Sequence, residues 1–403
     1  MRDTVSNRLG ICIVGLNGAV ATTVVAGQLL MKKKLTPHTG MISETQDFER
    51  LGLAPVDEIV FGGWDLLPGS TYEWAQHHHV LKPHVLDQVK AELQAVKAWP
   101  GVVSEQFLTA MSKKDIKNVV SAPTFRKELE ILQGHIEGFK KDHKLDRVVI
   151  VNLTSTEKYC EVADVHRTIE AFEKGLDAND TRISPAMKML YLACKMGLPH
   201  ANFTPSLSKI PALEKLSEQC GIPICGEDGK TGQTLLKTVL APMFVVRQLK
   251  VNGWFSTNIL GNNDGLVLND PAANKTKVTS KMSVLDSVLG YKVPYHQVHI
   301  HYYEPRGDDK EAWDNIDIEG FAGEKMQLKM NFLCKDSILA APLVIDMARL
   351  LDYAKSKGEK GIQRQMSVFF KSPYHTEGET PVHDLFRQYN LLENWSNKHA
   401  GKA

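Results

Sequence analysis

Apolar residues follow two different rhythms along this chain, and the rhythm changes near residue 240. Before that point, short and nearly all-apolar runs alternate with longer amphipathic stretches. Leu9–Val14 (LGICIV), Glu58–Phe61 (EIVF), Arg147–Leu153 (RVVIVNL) and Ile222–Cys225 read as strands, the third buried on both faces of a sheet. AVATTVVAGQLL, starting at Ala19, reads as a helix. So do Phe125–His143, with Leu129, Leu132, Ile136 and Phe139 on one apolar stripe, and Met187–Met196. Strands alternating with helices specify an α/β fold with a doubly wound sheet. Beyond residue 240, Phe244–Leu249, Tyr295–Tyr303 and Met326–Phe332 read as longer, alternating strands, which predicts an α+β unit with one covered sheet face. A long helix, SILAAPLVIDMARLLDYA, then follows Cys334-Lys335-Asp336-Ser337, with Asp336 or Ser337 as its N-cap.

Composition narrows the class of protein. The 403 residues leave room for two or three domains and a large core. A net charge of +1 gives no reason to expect a nucleic-acid partner, and no basic block reads as a membrane-surface segment. The opening MRDTVSNRLG lacks the apolar core of a signal peptide, and no apolar run approaches the ~18 residues of a membrane span. Six scattered cysteines without a CxxC pair fit a reduced, cytoplasmic protein.

Candidate chemistry sits where strands meet loops. Gly15-Leu16-Asn17-Gly18-Ala19 joins the first strand to the first helix, as in dinucleotide-binding folds. The glycine turn lets backbone approach a pyrophosphate, and the helix N-terminus offers amides and partial positive charge. The pattern is Gly15-x-x-Gly18, not GxGxxG, so a plain α/β turn is the competing reading. Asp65, after the second strand, is too distant from Gly18 for the usual ribose-binding acid; a turn or N-cap residue is its alternative. Thr154-Ser155-Thr156 closes the third strand, at the edge where such sheets bind ligands. Gly226-Glu227-Asp228-Gly229-Lys230-Thr231 is another glycine-bearing loop that runs into a helix N-terminus. His77-His78-His79 reads as a solvated helix rim, because adjacent histidines do not share a helix face and no other metal-ligand spacing accompanies them.

The densest signal is Leu260-Gly261-Asn262-Asn263-Asp264-Gly265 with Lys277 and Lys281 downstream. The first six residues favour a backbone loop. The two lysines, four apart, share a helix face and repel unless an anion lies near them. Period two puts His299, His301 and Tyr303 on one strand face and Val298, Ile300 and Tyr302 on the other.

Taken together, GNNDG with its lysine pair, GKTGQT and KDSILAAP resemble the inositol-phosphate synthase family, in a divergent short form. The resemblance runs from Gly15 to the C-terminal PVHDLFRQ. It implies a Rossmann-like NAD-binding domain over 1–240, an inserted α+β catalytic and tetramerisation domain over 241–348, and a segment over 349–403 returning to the first. It implies NAD held by Gly15, Leu16, Asn17, Gly18, Ala19, Asp65, Thr154, Ser155, Thr156, Asp228, Lys230 and Thr231. The sugar phosphate would be held by Asn262, Asn263 and Asp264, with Lys277, Lys281, His301, Asp336 and Arg387 in catalytic roles and no metal ligand set. It further implies a phosphosugar substrate, a cytoplasmic homotetramer, and no nucleic acid or membrane partner. The reaction would be redox-neutral: oxidation of glucose 6-phosphate at carbon 5, enolisation, aldol closure and reduction to myo-inositol 1-phosphate. Two positions depart from the pattern. His301 is placed, by counting back from Gly307-Asp308-Asp309-Lys310, where the family has a lysine, and Arg387 replaces another. The alternatives are an NAD-dependent dehydrogenase or reductase, a cyclase for another phosphosugar, or a non-catalytic NAD-binding protein.

Overall fold

In the computed structural model the structure describes residues 8–108, 116–261, 265 and 285–401. A seven-stranded sheet forms the larger layer. Its strands are β1 (Leu9–Val14), β2 (Ile59–Asp65), β3 (Trp99–Pro100), β4 (Arg147–Asn152), β5 (His200–Asn202), β6 (Pro223–Gly226) and, far along the chain, β11 (Gly361–Ile362). They lie in the order β11-β6-β5-β4-β1-β2-β3, every pair parallel. Helix α1 (Ala19–Lys32) covers one face, and α3 (Phe125–His143) and α4 (Pro185–Met196) cover the other; α2 (Thr71–His78) follows β2. The stripe read from α3 is the buried one: Leu129, Leu132, Ile136 and Phe139 all face the core. Each such side chain contributes about 1.5–3 kcal/mol on burial, so a charge at Leu132 would detach the helix.

Strand β2 runs four residues past its apolar run, through Gly62 and Gly63. A Cβ on Gly63 would lie 2.0 Å from the Ile13 carbonyl oxygen, and φ there is +155°, so only glycine lets β2 lie this close to β1. The extension carries Trp64 and Asp65 to the sheet's C-terminal edge.

A second sheet holds β7 (Lys250–Leu260), β8 (Tyr295–Tyr302), β9 (Asp309–Glu319) and β10 (Lys325–Lys335) in the order β10-β9-β7-β8. β9 is antiparallel to both neighbours, and β7 is parallel to β8. One face packs on α5 (Gly232–Val246) and on Leu285, Leu289 and Val293; the other leaves Phe255, Tyr295 and Trp313 exposed.

One expectation needs correction, and one strand was missed. Phe244–Leu249 is not a strand: α5 continues to Val246, Phe244 packs edge-on against Trp254 at 6.2 Å, and the strand starts only at Lys250. A short apolar run fits either period, and here the helical one won. β9 was not anticipated, because its buried face includes Asp314 beside Ala312, Ile316 and Ile318, which breaks the apolar alternation. The helix α6 (Asp336–Ser356) returns to the first layer. Its Val344, Ile345, Met347 and Leu350 join Val149 and Val151 in one core, so it runs unbroken across residue 348. Helix α7 (Leu385–His399) is the last element among the described residues.

Candidate active site

A cavity of about 750 Å³ opens where the C-terminal edge of the parallel sheet meets the second sheet. Three helix N-termini reach it, from α1 at Gly18 and Ala19, from α5 at Thr231, and from α6 at Asp336 and Ser337.

At the first of these, Gly15 takes φ +88°, and the amides of Gly15 and Leu16 both donate to the Trp64 carbonyl. Gly18 is the N-cap of α1, in extended geometry, with no side-chain cap and no acid in the first turn. The helix amides are therefore left for an anion. A Cβ on Gly18 would sit 3.2 Å from Gly15 O, so the cradle is shaped by its absence. These features fit a dinucleotide pyrophosphate. Thr154, Ser155 and Thr156 line the same cavity across the sheet edge.

Asp65 does not line the cavity. Its carboxylate accepts the Asn17 amide at 2.9 Å and the Leu67 amide at 2.9 Å, and burial raises its pKa. It is a turn residue that locks the glycine loop from behind. Leu16 is wholly buried, and Asn17 ties the loop to the Leu67 carbonyl at 2.8 Å. The histidine triplet is more than a solvated rim. His77, His78 and His79 all line the cavity, and half-buried His78 places Nε2 2.7 Å from the Asn17 carbonyl. Burial pushes the His78 pKa down, so the neutral ring donates Nε2–H to that carbonyl. No group of three His, Cys, Asp or Glu side chains suited to a metal occurs among the described residues.

The opposite end is built from charged side chains. Lys310 Nζ lies 3.4 Å from Asp336 Oδ2, and Thr231 donates its hydroxyl to Asp336 Oδ1 at 2.6 Å. The N-terminus of α5 has no side-chain cap and no acid in its first turn; a Cβ on Gly232 there would lie 3.6 Å from the Lys310 ammonium. Asp308 caps α6 instead of Asp336 or Ser337, accepting the Ser337 hydroxyl at 2.9 Å and amide at 3.3 Å. Asp228, at φ +62°, pairs with Lys371 at 2.7 Å, and both line the cavity.

Several expected residues fall elsewhere. His301 lies on the exposed face of β8, stacked on His299 with ring centroids 6.2 Å apart, while Ile300 and Tyr302 of the opposite face line the cavity. Strand alternation alone turns His301 away. The Arg387 side chain is 79% exposed on α7, facing Asp384 rather than the cavity. Lys230 is buried against Gln388 of α7, and burial lowers its pKa to about 7. It does not line the cavity. Asn262, Asn263, Asp264, Lys277 and Lys281 lie outside the described residues; Gly261, from which that stretch leaves β7, lines the cavity. The cations that do line it include Lys310, Lys371 and Arg306. Lys310 stood in the very motif used to count back to His301. Lys371, in FFKSP, carried no signal in sequence.

Comparison with known proteins decides the family. The model described as Myo-inositol-1-phosphate synthase matches residues 9–397. The chain belongs to this family. It is 43% identical to inositol-3-phosphate synthase 1 of Bacteroides thetaiotaomicron, over 96% of this chain and 94% of that one. It is 28% identical to the inositol-3-phosphate synthase of Saccharomyces cerevisiae, over 96% of this chain and 84% of that one. The crystal structure of inositol-3-phosphate synthase from Caenorhabditis elegans superposes with a TM-score of 0.91, covering 98% of this chain and 86% of that one at 23% identity, and shares the fold. NAD is the cofactor of the family, and the glycine turn and open α1 terminus described above suit it.

Proposed function

We propose that this chain is an inositol-3-phosphate synthase, an NAD-dependent isomerase that cyclises glucose 6-phosphate to myo-inositol 1-phosphate without net oxidation. The observation that carries the reading is the single cavity with two unlike ends. One is an uncapped helix terminus fit for a pyrophosphate, the other a lysine–carboxylate pair beside a second uncapped terminus.

The cofactor's contribution is a reversible hydride acceptor at carbon 5 of the sugar. Everything else falls to the chain. The α5 terminus and Lys310 hold the sugar phosphate through amides and a point charge. Lys277 and Lys281 supply the cations for the oxyanion that forms on enolisation, and Asn262, Asn263 and Asp264 hold hydroxyls. Asp336 orients the Lys310 ammonium and moves a proton between it and the reacting hydroxyls. Gly18, Ala19, Thr154, Ser155 and Thr156 hold NAD directly, while Gly15, Leu16, Asn17 and Asp65 shape the loop. Asp228 and Thr231 stand at the boundary of the two ends. Lys230, His301 and Arg387 lie outside the cavity and take no part in this reading.

The same reading makes the protein a homotetramer, supported by the uncovered face of the second sheet with Phe255, Tyr295 and Trp313. It places the protein in the cytoplasm, supported by six cysteines that are all unpaired. No helix among the described residues is long and apolar enough to cross a membrane. The test is product analysis of purified protein given glucose 6-phosphate and NAD. Inositol phosphate with no accumulation of NADH is expected; stoichiometric NADH with an oxidised sugar would make it a dehydrogenase.

A further inference from the structure

A buried carboxylate sets the direction of a hydrogen-bond chain that ends in the cavity. Asp314 of β9 is 3% exposed, on the face of the second sheet that α5 covers. Its Oδ1 accepts from Trp254 Nε1 at 2.6 Å and from Ser256 Oγ at 2.7 Å. Both of its oxygens accept from Gln233 Nε2 at 3.2 Å. An ionised carboxylate can only accept, so Gln233 must turn its NH₂ toward Asp314 and its carbonyl the other way. That carbonyl accepts from Asn258 Nδ2 at 2.8 Å. Asn258 is therefore committed as well, with its NH₂ spent on Gln233 and its Oδ1 left over.

Asn258 lines the cavity, and its Oδ1 is buried without a hydrogen-bond partner among the described residues. A buried acceptor left empty is uncommon and asks for a donor that no described residue supplies. The charge that keeps the chain polarised is nearby. Lys237, one helical turn beyond Gln233 on α5, is fully buried, bonds His296 Nε2 at 3.0 Å, and feels the Asp314 charge. Two linked amides on their own would adopt either direction. Anchored to a carboxylate they adopt one.

We propose that Asp314 is a positioning residue for the sugar: acting through Gln233, it fixes Asn258 with its amide oxygen offered as the acceptor for a substrate hydroxyl. The inference rests on the cavity being the phosphosugar site. Asp314 touches no reacting atom.

Asp314→Asn inverts the chain. Its amide NH₂ would donate to Gln233 Oε1, Gln233 would donate to Asn258, and Asn258 would present NH₂ to the cavity. The KM for glucose 6-phosphate should rise about tenfold or more, with a much smaller change in kcat and with NAD affinity kept. Adding Asn258→Asp then restores an acceptor-only group facing the cavity, on the inverted chain, and should recover most of the lost affinity. A purely structural role for Asp314 predicts that the double variant is worse than the single one. An unchanged KM in Asp314→Asn, or a double variant no better than the single, overturns the inference. If Asp314→Asn does not fold, Gln233→Met cuts the same link without inverting it and should raise KM. Its KM matching wild type would overturn the inference equally. A wild type that makes no inositol phosphate overturns the functional reading and this inference together; a wild type that makes it, beside variants of unchanged KM, overturns the inference alone.

Discussion

The two ends of the cavity are made of different material. The cofactor end is backbone: a glycine turn held by the Trp64 carbonyl, an uncapped helix, and a carboxylate, Asp65, that faces the loop amides and not the ligand. The sugar end adds charged and polar side chains to the open α5 terminus: Lys310 with Asp336, Lys371 with Asp228, and an amide chain that leads back to Asp314. Backbone binding depends on where a Cβ is missing. Side-chain binding depends on charge and on which way each residue of a strand points. The first end should therefore fail when bulk is added and the second when charge is removed, each without disturbing the other.

The largest effect is expected at the side-chain end. Lys310→Met should cut kcat by about 10²–10³, the usual cost of removing one preorganised charge partner. NAD affinity, measured by calorimetry, should stay within about twofold of wild type. A Lys310→Met enzyme that turns over normally would remove Lys310 from the site and return the burden to Lys277 and Lys281.

Gly18→Asp is the counterpart at the backbone end. Gly18 has φ −72° and ψ 161°, a conformation open to any residue, and it is an N-cap without a capping side chain. Aspartate there would accept the α1 amides itself, a contact worth about 1 kcal/mol in most helices. The same carboxylate would occupy the anion site. NAD affinity should fall at least about tenfold while the melting temperature stays close to wild type, because the capping gain is set against a Cβ 3.2 Å from the Gly15 carbonyl oxygen. A variant that loses NAD binding only because it melts earlier would argue against the open terminus as the anion site.

The contrast also explains what could be read in the sequence. The parallel sheet, the α3 stripe and the Gly15–Gly18 turn were legible because local pattern sets them: apolar runs of a length that only buried strands have, an apolar period of 3.6, and glycines where backbone must pass close to backbone. The side-chain end was less so. Lys310 and His301 are nine residues apart, on different strands, and only the alternation of β8 and the turn at Gly307 decide which of them reaches the cavity. A one-residue change in strand register exchanges the two faces, so counting along a motif is a weak guide to which face a residue takes. β9 hid for a related reason, since the buried carboxylate that polarises Gln233 and Asn258 also spoils the strand's apolar rhythm.

His301→Ala separates these readings. With His301 on the exposed face of β8, its loss should change kcat/KM by less than about threefold in protein of unchanged oligomeric state. The pH–rate profile should keep its shape. A loss of 10²-fold at constant assembly would place His301 in the chemistry and would mean that β8 presents its other face in the working enzyme.

The smallest effect on turnover, and the most informative about stability, belongs to Lys230→Met. Lys230 is 3% exposed, and its pKa falls to about 7 because burial outweighs the attraction of Asp384. An unfolded lysine titrates near ~10.4. Between those two values the folded protein binds fewer protons than the unfolded chain, so stability from this group rises with pH. Below pH 7 the ammonium is buried in charged form, and its full cost is present. His383 beside it, pushed down to about 4 by burial and by Lys230, stays neutral throughout that window. Methionine removes the titration. Against wild type, Lys230→Met should gain most in urea denaturation at pH 7 and below, and the gain should shrink steadily toward pH 10. NAD affinity should not move, because the ammonium faces Gln388 and not the cavity. A stability difference that does not vary with pH would show that the lysine is not held near neutrality. A variant that loses NAD would put Lys230 back at the cofactor and give the backbone end a side-chain ligand.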